Sequence, residues 1–191
     1  MPVSANPKQK KMQKRHIIFG LLVLTIVLAV VKYDRIYSFL ADQNPAGKNG
    51  QIGGDLGKLA DISLRTLDGE EVLLGDYAGQ PLVLNAWAIW CPFCKAELPS
   101  FVAVQEEYPD DVLFIAINRS ESADAIKEYL LEHDLTDRLL FLRDPNDVFY
   151  NAIGGFAMPE TLFINAEGDI VEHKRGPLDE AQTRSRAQSI I

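Results

Sequence analysis

At 191 residues the chain has room for one ordinary domain and an appendage. Its 47% hydrophobic and 24% charged residues exclude wholesale disorder. Residues 1–15 hold Lys8, Lys10, Lys11, Lys14 and Arg15 and no acid, so the net −8 of the whole becomes −13 over the remainder. A body that acidic lacks the basic footprint of a nucleic-acid-binding protein.

The basic run leads into the uncharged stretch Ile17–Val31, which His16 and Tyr33 extend and Lys32 can flank by snorkelling. A spanning helix needs about 20 apolar residues, with a lower limit near 17. A cleavable signal would need a small-x-small site just beyond the apolar core. Lys32-Tyr33-Asp34-Arg35 stands there instead, so a retained anchor is expected. The positive-inside rule then places 1–15 in the cytoplasm, a transmembrane signal anchor at 16–33, and the rest on the extracytoplasmic side of the inner membrane. Asn44–Gly57 has five glycines and no apolar periodicity, so 34–58 reads as a flexible tether to a domain at 59–191.

Within that domain, Asp61–Thr66 and Glu71–Leu74 predict a hairpin around Asp68-Gly69. Pro81–Ala88 predicts a strand buried on both faces. A helix follows over Phe93–Tyr108, with a kink expected at Pro99. Val112–Asn118 predicts a second buried strand, and Ser122 caps a helix running to His133. Leu139–Leu142 is a short strand and Asn146–Ile153 a short helix. A hairpin then joins Thr161–Asn165 to Asp169–Arg175, and Leu178–Ile190 closes the chain as a helix. The order predicts an α/β fold: a central mixed sheet with helices on both faces, an N-terminal β-hairpin and an antiparallel edge.

The two cysteines, Cys91 and Cys94, are three positions apart and close too little loop to staple a fold. A zinc site needs four ligands, and only His133 and His173, in unrelated elements, remain as soft candidates, so no metal site is expected. Trp90-Cys91-Pro92-Phe93-Cys94 falls where a buried strand meets a helix, the setting of a redox CxxC. Free N–H groups at the helix N-terminus favour a Cys91 thiolate, and Cys94, one turn further in, can resolve a mixed disulfide with it.

From about residue 60 to 190 the chain resembles the TlpA/ResA-like branch of the thioredoxin superfamily. The resemblance rests on Asn85–Pro99 (NAWAIWCPFCKAELP) and on Ala157-Met158-Pro159-Glu160-Thr161. It implies a thioredoxin-like fold and a thiol–disulfide oxidoreductase needing no cofactor beyond the Cys91–Cys94 disulfide. It implies a cis Pro159 that turns the Met158 backbone toward substrate, and a proton carrier in Glu97, one turn beyond Cys94. Asn85 stands where cytoplasmic-type thioredoxins carry a buried acid, leaving Glu97 as the candidate shuttle. Trp90, Pro92 and Phe93 join Met158 and Pro159 as candidate substrate-binding residues.

The resemblance further implies partners, namely exported protein dithiols and disulfides and a membrane thiol–disulfide electron donor. It implies reduction as the direction, for example in cytochrome c maturation or copper-site assembly. The Pro92-Phe93 dipeptide departs from the branch, which often places proline second, and resembles glutaredoxins and strongly oxidising disulfide donors. Oxidation or isomerisation therefore stands as the alternative. Copper delivery is a further one, though copper-delivering relatives carry three residues between the cysteines and an added histidine.

Overall fold

The computed structural model describes residues 56–191. Two runs with almost no polar break form the centre of the sheet, β3 (Leu82–Trp87) and β4 (Leu113–Arg119). Every residue of β3 is buried, as a strand covered on both faces must be. Val83 and Trp87 point to one side of the sheet, while Leu82, Leu84 and Ala86 point to the other.

Around this pair lie β1 (Ser63–Thr66), β2 (Glu71–Leu73), β5 (Leu140–Asp144), β6 (Glu160–Ile164) and β7 (Ile170–Arg175), in the order β2-β1-β5-β4-β3-β6-β7. β3, β4 and β5 are mutually parallel, and every other pairing is antiparallel. The N-terminal hairpin therefore attaches through β1 to β5, and the C-terminal hairpin through β6 to β3. Gly69, at φ +94°, supplies the left-handed residue of the first turn.

The helices are α1 (Pro92–Glu107), α2 (Ala123–Glu132), α3 (Val148–Ala152) and α4 (Glu180–Gln188). Residues of α1, α2 and α4 pack on one face of the sheet around Trp87, Phe101, Phe114 and Phe163. Phe149 and Tyr150 of α3 cover the other face, with the 3-10 turns Leu56–Lys58 and Leu74–Tyr77. This is the mixed-sheet thioredoxin-like arrangement.

The predicted elements are all present, with ends moved by one or two residues in either direction. Ser122 caps α2 through its hydroxyl, which accepts the N–H of Ala125 at 3.2 Å. α4 is shorter than predicted because Asp179 caps it, with Gln182 completing a capping box. α1 continues through Pro99. The boundary at 59 needs correction: Leu56, expected in the tether, is buried and donates its N–H to Gly168 O at 2.7 Å. One leucine in a glycine-rich run carries no periodicity, so its docking left no pattern to read.

Among the described residues no helix is long and apolar enough to cross a membrane. The expected cytoplasmic segment, the anchor at 16–33 and the tether up to 55 lie outside them.

Phe114, 1% exposed, meets the Phe101 ring at a centroid distance of 5.6 Å and ties β4 to α1. Phe114→Ala is expected to cost about 3–5 kcal/mol, read from the midpoint of urea denaturation.

Candidate active site

β3 ends at Trp87, and the chain turns through Ala88–Trp90 into α1, whose N-cap is Cys91. Pro92 occupies the first helical position, where a missing N–H costs nothing and a fixed φ is already helical. Cys91 and Cys94 are joined as a disulfide, and Cys91 Sγ accepts the Cys94 N–H at 3.2 Å. Cys94 is fully buried and Cys91 is 2% exposed, so what little access exists lies on Cys91. Trp90 and Phe93 stand out from this recessed pair at 63% and 60% exposure. Pro92 is exposed between them.

One helical turn beyond Cys94 lies Glu97. It is 1% exposed, so a surface glutamate is excluded. Its Oε1 accepts from Asn85 Nδ2 at 2.9 Å and its Oε2 from the N–H of Leu178 at 3.1 Å. Asn85 Nδ2 donates its second hydrogen to Thr161 Oγ1 at 3.0 Å. The buried acid beside β3 thus comes from α1, with the Asn85 amide bonded to it. Burial pushes the Glu97 carboxyl up to about 8, against the pull of the Leu178 N–H, the Asn85 amide and the charge of Lys174.

The Met158–Pro159 bond is cis. Pro159 is buried, its carbonyl accepts the N–H of Gly176 at 2.9 Å, and Met158 packs against the cluster holding both cysteines. Pairing of Ala86 with Glu160 brings this loop to the end of the sheet where β3 delivers the CxxC. The two sequence motifs therefore meet. The histidines are engaged elsewhere: His133 stacks on Tyr129, and His173 bonds Glu160. Among the described residues no cluster of His, Cys, Asp or Glu is arranged to hold a metal ion.

Sequence reasoning missed two carboxylates that hold the flanking loops. Glu121 Oε2 accepts the N–H of Ile89, two residues before Cys91, at 2.8 Å and Asn118 Nδ2 at 2.6 Å. Glu160 Oε1 accepts the N–H groups of Phe156 and Ala157, both at 2.6 Å. Glu160 stood inside the quoted motif beside Pro159, the one hint available. Nothing in the sequence around Glu121 ties it to a residue 32 positions earlier. Phe156, 83% exposed on the same loop, was also passed over.

Below about pH 4.5 both the folded and unfolded chains protonate Glu97, and above it only the folded chain keeps the proton, until about pH 8. Relative to Glu97→Gln, the oxidised protein is therefore expected to lose stability as pH rises through that window. The difference should reach a few kcal/mol, each pKa unit being worth about 1.4 kcal/mol. Denaturation of both proteins at pH 5 and pH 9 checks it. A gap that does not change with pH would remove the buried, proton-holding carboxyl.

Comparison with known proteins agrees with this geometry. The sequence matches the Redoxin family over residues 53–191. It is 33% identical over 172 residues to the thiol-disulfide oxidoreductase ResA of Oceanobacillus iheyensis, covering 90% of this chain and 86% of that one. It is 29% identical over 172 residues to the thiol:disulfide interchange protein DsbE of Pseudomonas fluorescens biotype C, covering 90% of each. Among solved structures, the exposed lipoprotein thioredoxin Etrx1 of Streptococcus pneumoniae superposes with a TM-score of 0.60 at 27% identity, over 68% of this chain and 99% of that one. The MTB protein DsbF, at 24% identity, shares the fold with a TM-score of 0.64, over 70% of this chain and 98% of that one. With that coverage, and with a CxxC disulfide at the head of α1, the chain belongs to the Redoxin family as a TlpA/ResA-like thiol–disulfide oxidoreductase.

Proposed function

We propose that the protein is a membrane-tethered reductant of disulfides in exported proteins, acting through Cys91 and Cys94 with Glu97 as proton carrier. The observation that carries this reading is the Cys91–Cys94 disulfide at the head of α1, with Cys91 as N-cap and Cys94 sealed behind it. In the reduced enzyme the helix N-terminus favours the Cys91 thiolate, which attacks one sulfur of a substrate disulfide. The substrate S–S bond breaks, one substrate sulfur leaves as thiolate, and a mixed disulfide forms on Cys91. Once Glu97 has released its own proton, its carboxylate takes that of Cys94, which attacks Cys91 Sγ and expels the second substrate sulfur. Two electrons pass to the substrate, and the enzyme is left with the Cys91–Cys94 disulfide. A thiol donor resets it by attacking Cys91, while protonated Glu97 returns its proton to Cys94 as that sulfur leaves.

The binding surface in this reading consists of Trp90, Pro92 and Phe93 on one side and Met158 with Pro159 on the other. The backbone N–H and C=O of Met158 make no hydrogen bond among the described residues, which leaves both for an extended substrate segment. A reducing role outside the cytoplasm is supported by the basic 1–15 segment, the apolar stretch at 16–33, and the relatives named ResA and DsbE. The substrate classes proposed are haem-attachment cysteines of apocytochrome c and cysteines of copper sites. A membrane dithiol is the proposed donor.

The expected midpoint potential is below about −200 mV; a value near −120 mV, that of the strongest dithiol oxidants, would reassign the enzyme to oxidation. Cys94→Ser, expressed in cells, is expected to trap mixed disulfides through Cys91 with exported proteins. Recovering none, with the Cys91 thiol intact, would sink the reading.

A further inference from the structure

Glu160 opens β6 directly after Pro159, and its side chain is fully buried. A buried carboxylate is costly unless its oxygens are satisfied. Here every partner concerns the cis-proline loop or the strand beside it. Oε1 takes the N–H groups of Phe156 and Ala157. Oε2 accepts His173 Nε2 at 2.6 Å and lies 3.6 Å from Arg175 Nε, on the strand paired with β6. Burial alone would raise this carboxyl, but the His173 imidazole and the two backbone N–H groups outweigh it and hold it below the usual range. No partner comes from α1 or from the turn carrying the cysteines.

The loop is held from a second side. Tyr150 Oη donates to Ala157 O at 2.9 Å. The Tyr150 ring is fixed in turn by the Arg119 guanidinium, 3.6 Å above its centroid, and Arg119 is bound by Asp147 through two hydrogen bonds of 2.9 and 2.6 Å. Gly155 allows the approach, since a Cβ there would stand 2.5 Å from the Tyr150 ring. Both peptide units flanking the Ala157 Cα are thus anchored. Two groups on this fixed loop have no partner among the described residues: the Phe156 ring, 83% exposed, and the backbone of Met158.

We propose that Glu160 is a positioning residue for substrate binding and that Phe156 is a specificity-determining contact. With Tyr150 opposite, Glu160 sets the loop so that one extended substrate segment meets the Met158 backbone and the Phe156 ring together. The segment favoured is one with an apolar side chain close to its target cysteine, since Trp90 and Phe93 border the dithiol with the same chemistry. This rests on the disulfide-exchange reading for the existence of a peptide substrate. It adds nothing to the chemistry at Cys91.

The test compares two disulfides reduced by the full-length, dithiol form. One is a leucine-flanked peptide with a Cys-x-x-Cys disulfide; the other is hydroxyethyl disulfide, which has no backbone to bind. Glu160→Ala is expected to lower kcat/KM for the peptide about tenfold and leave the small disulfide within about twofold. Glu160→Gln, which keeps an oxygen for the two N–H groups, is expected to restore most of the loss. Phe156→Ala should slow the leucine-flanked peptide and spare a glycine-flanked one. Equal losses on both disulfides in Glu160→Ala would overturn the proposal, because Glu160 would then act on the dithiol or on the fold as a whole. Should Glu160→Ala fail to fold, Tyr150→Phe and Phe156→Ala decide: unchanged peptide kinetics in both overturns the proposal. A wild-type protein that reduces neither disulfide would instead overturn the reductant reading on which it rests.

Discussion

A carboxyl group in the interior of a protein must be neutral or well bonded. The architecture around the disulfide includes one whose burial raises its pKa and whose two oxygens each accept a hydrogen bond. Glu97 touches three parts of the chain at once: it sits on α1, receives the Asn85 amide from β3, and receives the N–H of Leu178 from the segment entering α4. Its place is therefore fixed by the same packing that seats α1 and α4 on the sheet. The carboxyl is thereby tied to the helix whose first turn carries the redox pair.

The two loops that frame the disulfide are held by a different device. Each has a carboxylate drawing in its backbone N–H groups, Glu121 for Ile89 and Glu160 for Phe156 and Ala157. Side-chain oxygens do here what a neighbouring strand would do inside a sheet, and they do it where no strand runs. The loops gain fixed shapes while their outer surfaces keep Trp90, Phe93 and Phe156 exposed. Rigid backbone with apolar side chains facing water is a poor arrangement for stability and a good one for binding, because little conformational freedom is left to lose.

Much of this was legible in the residues. The alternation of apolar runs with helical stripes located every strand and helix, because burial on both faces of β3 and β4 leaves an unmistakable pattern. Cys91 and Cys94 announced themselves by spacing and by their place between strand and helix, whereas Pro159 and Glu97 took their meaning from the family resemblance. What stayed hidden were contacts between segments distant in sequence: Asn85 with Thr161, Ile89 with Glu121, Leu178 with Glu97, Tyr150 with Ala157. A polar side chain on a loop reads the same whether it faces water or holds another loop's backbone, and only the folded topology distinguishes the two. Leu56 escaped for the related reason that one apolar residue has no period.

The burial of Cys94 has a consequence for traffic. With one sulfur sealed and the other barely open, electrons can enter and leave the protein only through Cys91. Whatever supplies them and whatever receives them must occupy the same doorway, one after the other. No ternary complex can form at the disulfide, so each visitor excludes the next until it departs. The disulfide offers its partners a single berth.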